Sequence, residues 1–141
     1  NKSIQKNAKD QSNLGRMYED GRGVARDYEK AVYWYRKASE QGHVWSQNTL
    51  GCMYNSGYGV SKNDEVAVEW YQKAADNGYA ISQFNLAWSY FDGRGVIRDL
   101  KKAHDLYLKA ARNGVCPAQY NLGLMYADGA GVQQNHSVAL E

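Results

Sequence analysis

Proline occurs once in the 141 residues, and phenylalanine and cysteine occur twice each. Cys52 and Cys116 are too few for a disulfide scaffold, and neither has the Cys-x-x-Cys partner of a metal-ligand cluster. An excess of one charge is missing too. The 17 Lys and Arg against 15 Asp and Glu leave +2, which argues against a nucleic-acid binder or a membrane-surface binder. No apolar run approaches the roughly 20 residues of a membrane-spanning helix, so no membrane insertion is expected. No export signal is recognisable in the first residues, and the compartment stays open.

What the chain has instead is tyrosine and tryptophan, 12 and 4, and 14 glycines. Rings at that density either pack a core or face a partner. The glycines are periodic. Gly-x-Gly pairs stand at Gly21/Gly23, Gly57/Gly59, Gly93/Gly95 and Gly129/Gly131, each 36 residues after the last. Val24, Val60, Val96 and Val132 follow them at the same interval, and Leu14, Leu50, Leu86 and Leu122 precede them. Tyr18, Tyr54, Tyr90 and Tyr126 keep the step, as do Ala31, Ala67, Ala103 and Ala139, and Tyr35, Tyr71 and Tyr107. Such a lattice is the signature of a repeat architecture.

Each unit reads as two helices. Leu14, Met17 and Tyr18 share one face of the first, with Gly15 beside them. A glycine inside a helix costs about 1 kcal/mol relative to alanine, so its recurrence at Gly51 and Gly123 predicts a close neighbour that admits no larger side chain. Only Ala87 departs. Asp-Gly or Ser-Gly ends the helix in a left-handed cap. Four residues after the second glycine, Asp27, Asn63, Asp99 and Asn135 are N-cap residues for the second helix. Its buried stripe is Ala31, Trp34, Tyr35 and Ala38, and Gly42 closes it. Gly-x-Gly is therefore a structural elbow between antiparallel helices. A phosphate loop would follow a strand, and no unit reads as one.

The stretches LGRMYEDGRGVARDYEKAVYWYRKASEQG (Leu14 to Gly42) and LGCMYNSGYGVSKNDEVAVEWYQKAADNG (Leu50 to Gly78) resemble the Sel1-like repeat, a relative of the tetratricopeptide repeat with a longer loop. The third unit departs most, with Ala87 for glycine, Ser89 for methionine and Leu106 for tryptophan. The resemblance implies an all-α fold, an α-solenoid coiling as a right-handed superhelix of antiparallel helix pairs. It also implies a protein-protein interaction scaffold, bacterial in origin or part of a eukaryotic adaptor. The division expected is residues 1–7 as the tail of a preceding repeat, repeats at 8–43, 44–79 and 80–115, and a partial repeat at 116–141. No polar capping repeat closes the array, and a fragment of a longer solenoid is expected. Leu140-Glu141 read either as native residues or as a cloning remnant. The unfinished repeat would leave Leu122, Tyr126 and Val138 open to self-association.

Because lattice residues build the core, function is sought at the irregular positions. On the first helices, those opposite the Leu/Tyr face should line the concave groove if the tetratricopeptide geometry holds. They are Lys9, Ser12, Arg16, Glu19 and Asp20; Trp45, Asn48, Cys52, Asn55 and Ser56; Ile81, Phe84, Trp88, Phe91 and Asp92; and Pro117, Tyr120, Leu124, Ala127 and Asp128. The groove passes from charged to aromatic along the chain. The candidates for partner contact are Arg16, Trp45, Asn48, Phe84, Trp88, Phe91, Tyr120 and Leu124. Two readings stand. Phe84, Trp88, Tyr120 and Leu124 pack against one another between adjacent helices, or they receive an apolar peptide as aromatic anchors. A cell-wall glycan stacked on the same rings is the alternative ligand.

Chemistry is not foreshadowed. His43, His104 and His136 are scattered over the lattice with no i, i+4 pair, so no metal and no cofactor are expected. The carboxylates Asp20, Asp92 and Asp128 recur before the elbow, where a turn explains them. Cys52 reads as a small hydrophobe. Arg22, Arg26, Arg94 and Arg98 read as a solvated rim or as contacts to an acidic partner. The expectation is a module that is not an enzyme.

Overall fold

The computed structural model describes residues 7–128. Gly129 and Gly131, the tail before residue 7, Asn135, His136, Val138 and Leu140-Glu141 lie outside the described residues. Among those described, seven helices follow one another and no strand occurs. They are α1 (Ala8–Asp20), α2 (Tyr28–Glu40), α3 (Val44–Ser56), α4 (Asp64–Asp76), α5 (Ala80–Asp92), α6 (Leu100–Arg112) and α7 (Cys116–Asp128). This is an all-α helical repeat fold. The chain forms two compact units, Asn1–Ala74 and Ala75–Glu141, with the boundary inside α4.

The elbows are built by backbone bonds that the glycines permit. Gly21, Gly57 and Gly93 take φ of 70°, 77° and 72°, a left-handed conformation open to glycine without strain. That turns the N–H groups of Arg22, Tyr58 and Arg94 back onto the carbonyls of Met17, Met53 and Ser89 at 2.9–3.0 Å. The chain then returns, and the N–H groups of Asp27, Asn63 and Asp99 each donate to the carbonyl of Tyr18, Tyr54 or Tyr90 at 2.9 Å. Their side chains cap the second helices, accepting from Lys30 N, Val66 N and Lys102 N at 3.0–3.1 Å. At the far end, Gly42 N donates to Ser39 O and His43 N to Ala38 O, the paired bonds of a Schellman cap. Gly114 and Val115 repeat that pattern on Ala111 and Ala110.

Within each elbow the two glycines do different work. Gly21 and Gly93 are the C-caps of α1 and α5. Gly23 and Gly95 stand two residues past those caps and close no helix, although both are left-handed as well, at φ of 76° and 73°. A Cβ at Gly23 would meet only Met17 Cε at 3.8 Å, an ordinary contact. The backbone angle, not lack of space, is what selects glycine there.

In the first unit, the glycines inside α1 and α3 make room for a ring. A Cβ at Gly15 would stand 2.6 Å from the Tyr35 ring, and one at Gly51 2.7 Å from Tyr71. Tyr35 is wholly buried with Ala31, Val32, Leu50 and Met53. Burying such a side chain contributes about 1.5–3 kcal/mol, which outweighs the glycine's cost of about 1 kcal/mol. The Tyr35 hydroxyl donates to Glu19 and the Tyr71 hydroxyl to Cys52 Sγ at 3.4 Å. Burial, first of all, pushes both phenols far above their ordinary range. Two consecutive elbows also touch here, since a Cβ on Gly59 would run into the carbonyl of Tyr28.

The second unit uses the same device with a methyl in place of hydrogen. Ala87 and Tyr107 are fully buried in one cluster with Ala103, Ala110, Ala118 and Met125. Burial pushes the Tyr107 phenol up to about 12, although a hydrogen bond from Asn121 opposes it.

A second periodic set lies inside the helix joints and was not foreseen. Gln11, Gln47, Gln83 and Gln119 stand 36 residues apart. Gln47 Nε2 donates to Ser39 O, and Gln119 Nε2 to Ala111 O, both at 3.1 Å and both eight residues back. Each amide thus satisfies a carbonyl in the last turn of the preceding helix. Gln11 and Gln83 also accept through Oε1, from Gln41 and from Asn113.

Candidate functional site

The same repeat positions carry different chemistry in the two units. In the first, Arg16 is exposed and lays its guanidinium over the Trp45 ring, 5.2 Å from the centroid. Trp45 is half-buried, edge-on to Tyr35 at 5.6 Å. The indole thus meets both a core ring and a cation. Cys52 is half-buried beside Tyr71, and burial pushes its thiol up.

Asn48 is a correction. Expected on the open face, it is buried with 8% exposure, and its side chain is engaged there. The reason lies in the position itself, shared by Ser12, Asn48, Phe84 and Tyr120. Ser12 is also buried, Phe84 is half-buried and Tyr120 is 69% exposed. The site sits at the border of the interior, so a short polar side chain stays inside and a long ring extends out.

In the second unit the face is apolar and open. On α5, Ile81 and Trp88 are exposed, Trp88 at 42%; on α7, Tyr120 and Leu124 are exposed, Leu124 at 45%. Phe84 and Phe91 are drawn inward, with ring centroids 5.7 and 6.5 Å from Tyr107. Trp88 lies 6.5 Å from Phe91. A run of rings therefore joins the open face to the core, which fixes Trp88 without hiding it. Helices α5 and α7 carry no lysine or arginine at all.

The rim arginines make local contacts. Arg22 pairs with Asp20 at 3.5 Å and Arg94 with Asp92 at 3.1 Å, all well exposed. Arg26 lies over Tyr28 at 5.7 Å, and Arg98 over Phe91 at 6.0 Å. His43 caps α3, its Nδ1 accepting from Ser46 N at 3.4 Å. His104 meets the Tyr126 hydroxyl at 2.8 Å. Among the described residues, no group of three or more His, Cys, Asp or Glu is placed to hold a metal ion, and no helix is long and apolar enough to cross a membrane. Leu122 and Tyr126, expected to be open to self-association, are half-buried.

Two solved structures share this fold over 98% of the chain. One is a protective antigen of uropathogenic Escherichia coli displaying an SLR fold, 39% identical with a TM-score of 0.94. The other is a Sel1 repeat protein from Oxalobacter formigenes, 37% identical with a TM-score of 0.93. The chain spans 30% and 57% of their lengths. Cysteine rich protein B of Helicobacter pylori, 22% identical, matches over 82% of this chain and 94% of its own with a TM-score of 0.65, a likeness of fold alone. No curated protein matches. The family model described as Sel1 repeat matches residues 8–43, 46–79, 80–115 and 116–141. Proteins of this kind are generally interaction scaffolds and typically non-catalytic. With the elbows, the ring-on-glycine contacts and these four matches in register, the chain belongs to the Sel1 repeat family.

Proposed function

We propose that this chain is a non-catalytic interaction module, part of a longer bacterial protein, that takes a partner protein or peptide on the irregular face of its first helices. The contact falls mainly on Trp88, Tyr120 and Leu124, backed by Phe84 and Phe91, while Arg16 on Trp45 offers a cationic counterpart in the first unit. One observation carries this reading. Four large apolar side chains on α5 and α7, Ile81, Trp88, Tyr120 and Leu124, stay exposed, and two of them, Trp88 and Leu124, occupy the same position of consecutive repeats. Exposed apolar clusters of this kind mark interaction sites, and fixed aromatic rings make the strongest anchors.

The test separates packing from binding. Trp88→Ala should lower stability by less than about 1.5 kcal/mol, the range of one aromatic pair. It should reduce capture of the partner from extract of the source cell by about tenfold or more. A large drop in melting temperature with capture unchanged would contradict the proposal. A second reading, glycan binding, draws support from the 69% exposure of the Tyr120 ring beside Gln119 and Asn121. Retention on immobilised cell-wall glycan, lost in Tyr120→Ala, would favour it.

A further inference from the structure

Phe91 breaks the repeat, standing where Glu19 and Asn55 stand in the first two repeats. Arg98, by contrast, is a regular elbow residue, in line with Arg26 and Lys62. The three cations are disposed differently. Arg26 lies over Tyr28, and Lys62 is neutralised by Asp64 at 2.6 Å. Arg98 is turned onto Phe91: its Nε donates to the Phe91 carbonyl at 3.0 Å, and its guanidinium lies 6.0 Å from the centre of that ring. Two contacts therefore fix the plane of an exposed guanidinium while leaving its terminal NH2 groups to project. Among the described residues, no carboxylate lies within ion-pair distance of it.

The nearby acids are already committed. Asp92 accepts from Arg94 at 3.1 Å, and Asp99 turns its carboxylate to cap α6 at Lys102 N. Phe91 is in turn the neighbour of the exposed Trp88, 6.5 Å away, and Ile97 beside Arg98 is 90% exposed. A positioned guanidinium at the edge of an apolar aromatic surface matches a carboxylate held next to an apolar group. Planar, fixed donors lose little freedom when they bind one.

Resting on the reading above, we infer that the segment received by this face is apolar and carries an acidic side chain, Asp or Glu, which pairs with Arg98 while its apolar neighbour lies against Trp88 and Phe91. Arg98 sits on an exposed elbow, so the partner chain is free to continue past it, and a side chain rather than a chain terminus supplies the carboxylate.

The experiment uses the full chain and short fluorescein-labelled peptides of leucine, phenylalanine and serine, amidated at the C-terminus and identical except for one Glu, Gln or Lys. By fluorescence anisotropy at low salt, the Glu peptide should bind about five- to tenfold more tightly than the Gln peptide, and the Lys peptide most weakly. Raising the salt should shrink that order. Arg98→Gln should erase the preference, bringing the Glu and Gln peptides to the same affinity; Arg98→Lys should keep part of it, and thermal melting checks that both variants fold. Trp88→Ala should weaken all three peptides. Equal binding of Glu and Gln peptides, or a preference that survives Arg98→Gln, would overturn this inference and leave the interaction module standing. A preference that appears only with a free C-terminal carboxylate would overturn the side-chain assignment. No binding by any peptide, with partner capture indifferent to Trp88→Ala, would remove both.

Discussion

Trp45 and Trp88 stand on first helices of neighbouring repeats and lead different lives. Trp45 is set edge-on to the buried Tyr35 and lidded by Arg16, whereas Trp88 keeps 42% of its surface open and rests on Phe91. The lattice around the two is the same: an elbow glycine, an N-cap, and a buried tyrosine on a small residue. Apart from a few exchanges within the lattice, such as Ala87 for glycine, what separates the units lies at positions with no part in it. In a repeat array, stability is set by the regular residues and their interfaces, which leaves the irregular ones to diverge toward a ligand.

The comparison breaks if the two lattices are not equivalent, and the largest effect tests that. Tyr35→Ala and Tyr107→Ala each empty a fully buried ring site, and each should cost about 3–5 kcal/mol in urea denaturation. A unit that tolerated the loss would not share the scaffold. The next effect sharpens one lattice difference. Gly51→Ala forces a methyl against Tyr71 and should cost about 1–3 kcal/mol despite its better helix propensity. Ala87→Gly should cost only about 1 kcal/mol, since Tyr107 already accommodates a side chain there.

These contrasts also show what the sequence made legible. Elbows and N-caps could be read because their chemistry is local: a left-handed glycine and an Asp or Asn a few residues later imply both helix ends. The first glycine of each pair was legible as a helix cap, but the left-handed turn of the second was not, because no local pattern fixes its backbone angle. The tyrosine on glycine was half legible, since periodic Gly15 and Gly51 announced a close neighbour without naming it. The glutamine column was missed although its 36-residue spacing is in plain view. Glutamine is read as surface until the carbonyl it caps, eight residues back on another helix, is seen. Asn48 was misplaced because a helical wheel gives direction but not depth. The lid of Arg16 on Trp45, and the turn of Arg98 onto Phe91, depend on side-chain approaches between elements that no spacing encodes.

A smaller effect separates the units by pH. Burial lowers the affinity of His43 for a proton, and its neutral Nδ1 caps α3; the corresponding Tyr79 makes no side-chain cap on α5. The unfolded chain then binds more protons in acid than the folded one, so this contribution is complete above about pH 6.5 and fades as the pH falls below it. Thermal melts should show a fall in midpoint across that range, and His43→Asn, which keeps a cap, should flatten it. The smallest effect is at the rim. Arg94→Ala removes an exposed bridge to Asp92 and should shift stability by less than about 0.5 kcal/mol.

The most direct measurement is a hydrogen-exchange footprint of the chain with and without its captured partner. Slowed exchange should concentrate in α5 and α7 around Trp88 and Leu124, with α2 unchanged. Protection spread evenly over both units, or confined to the second helices α2 and α6, would contradict the division between a regular scaffold and an irregular binding face.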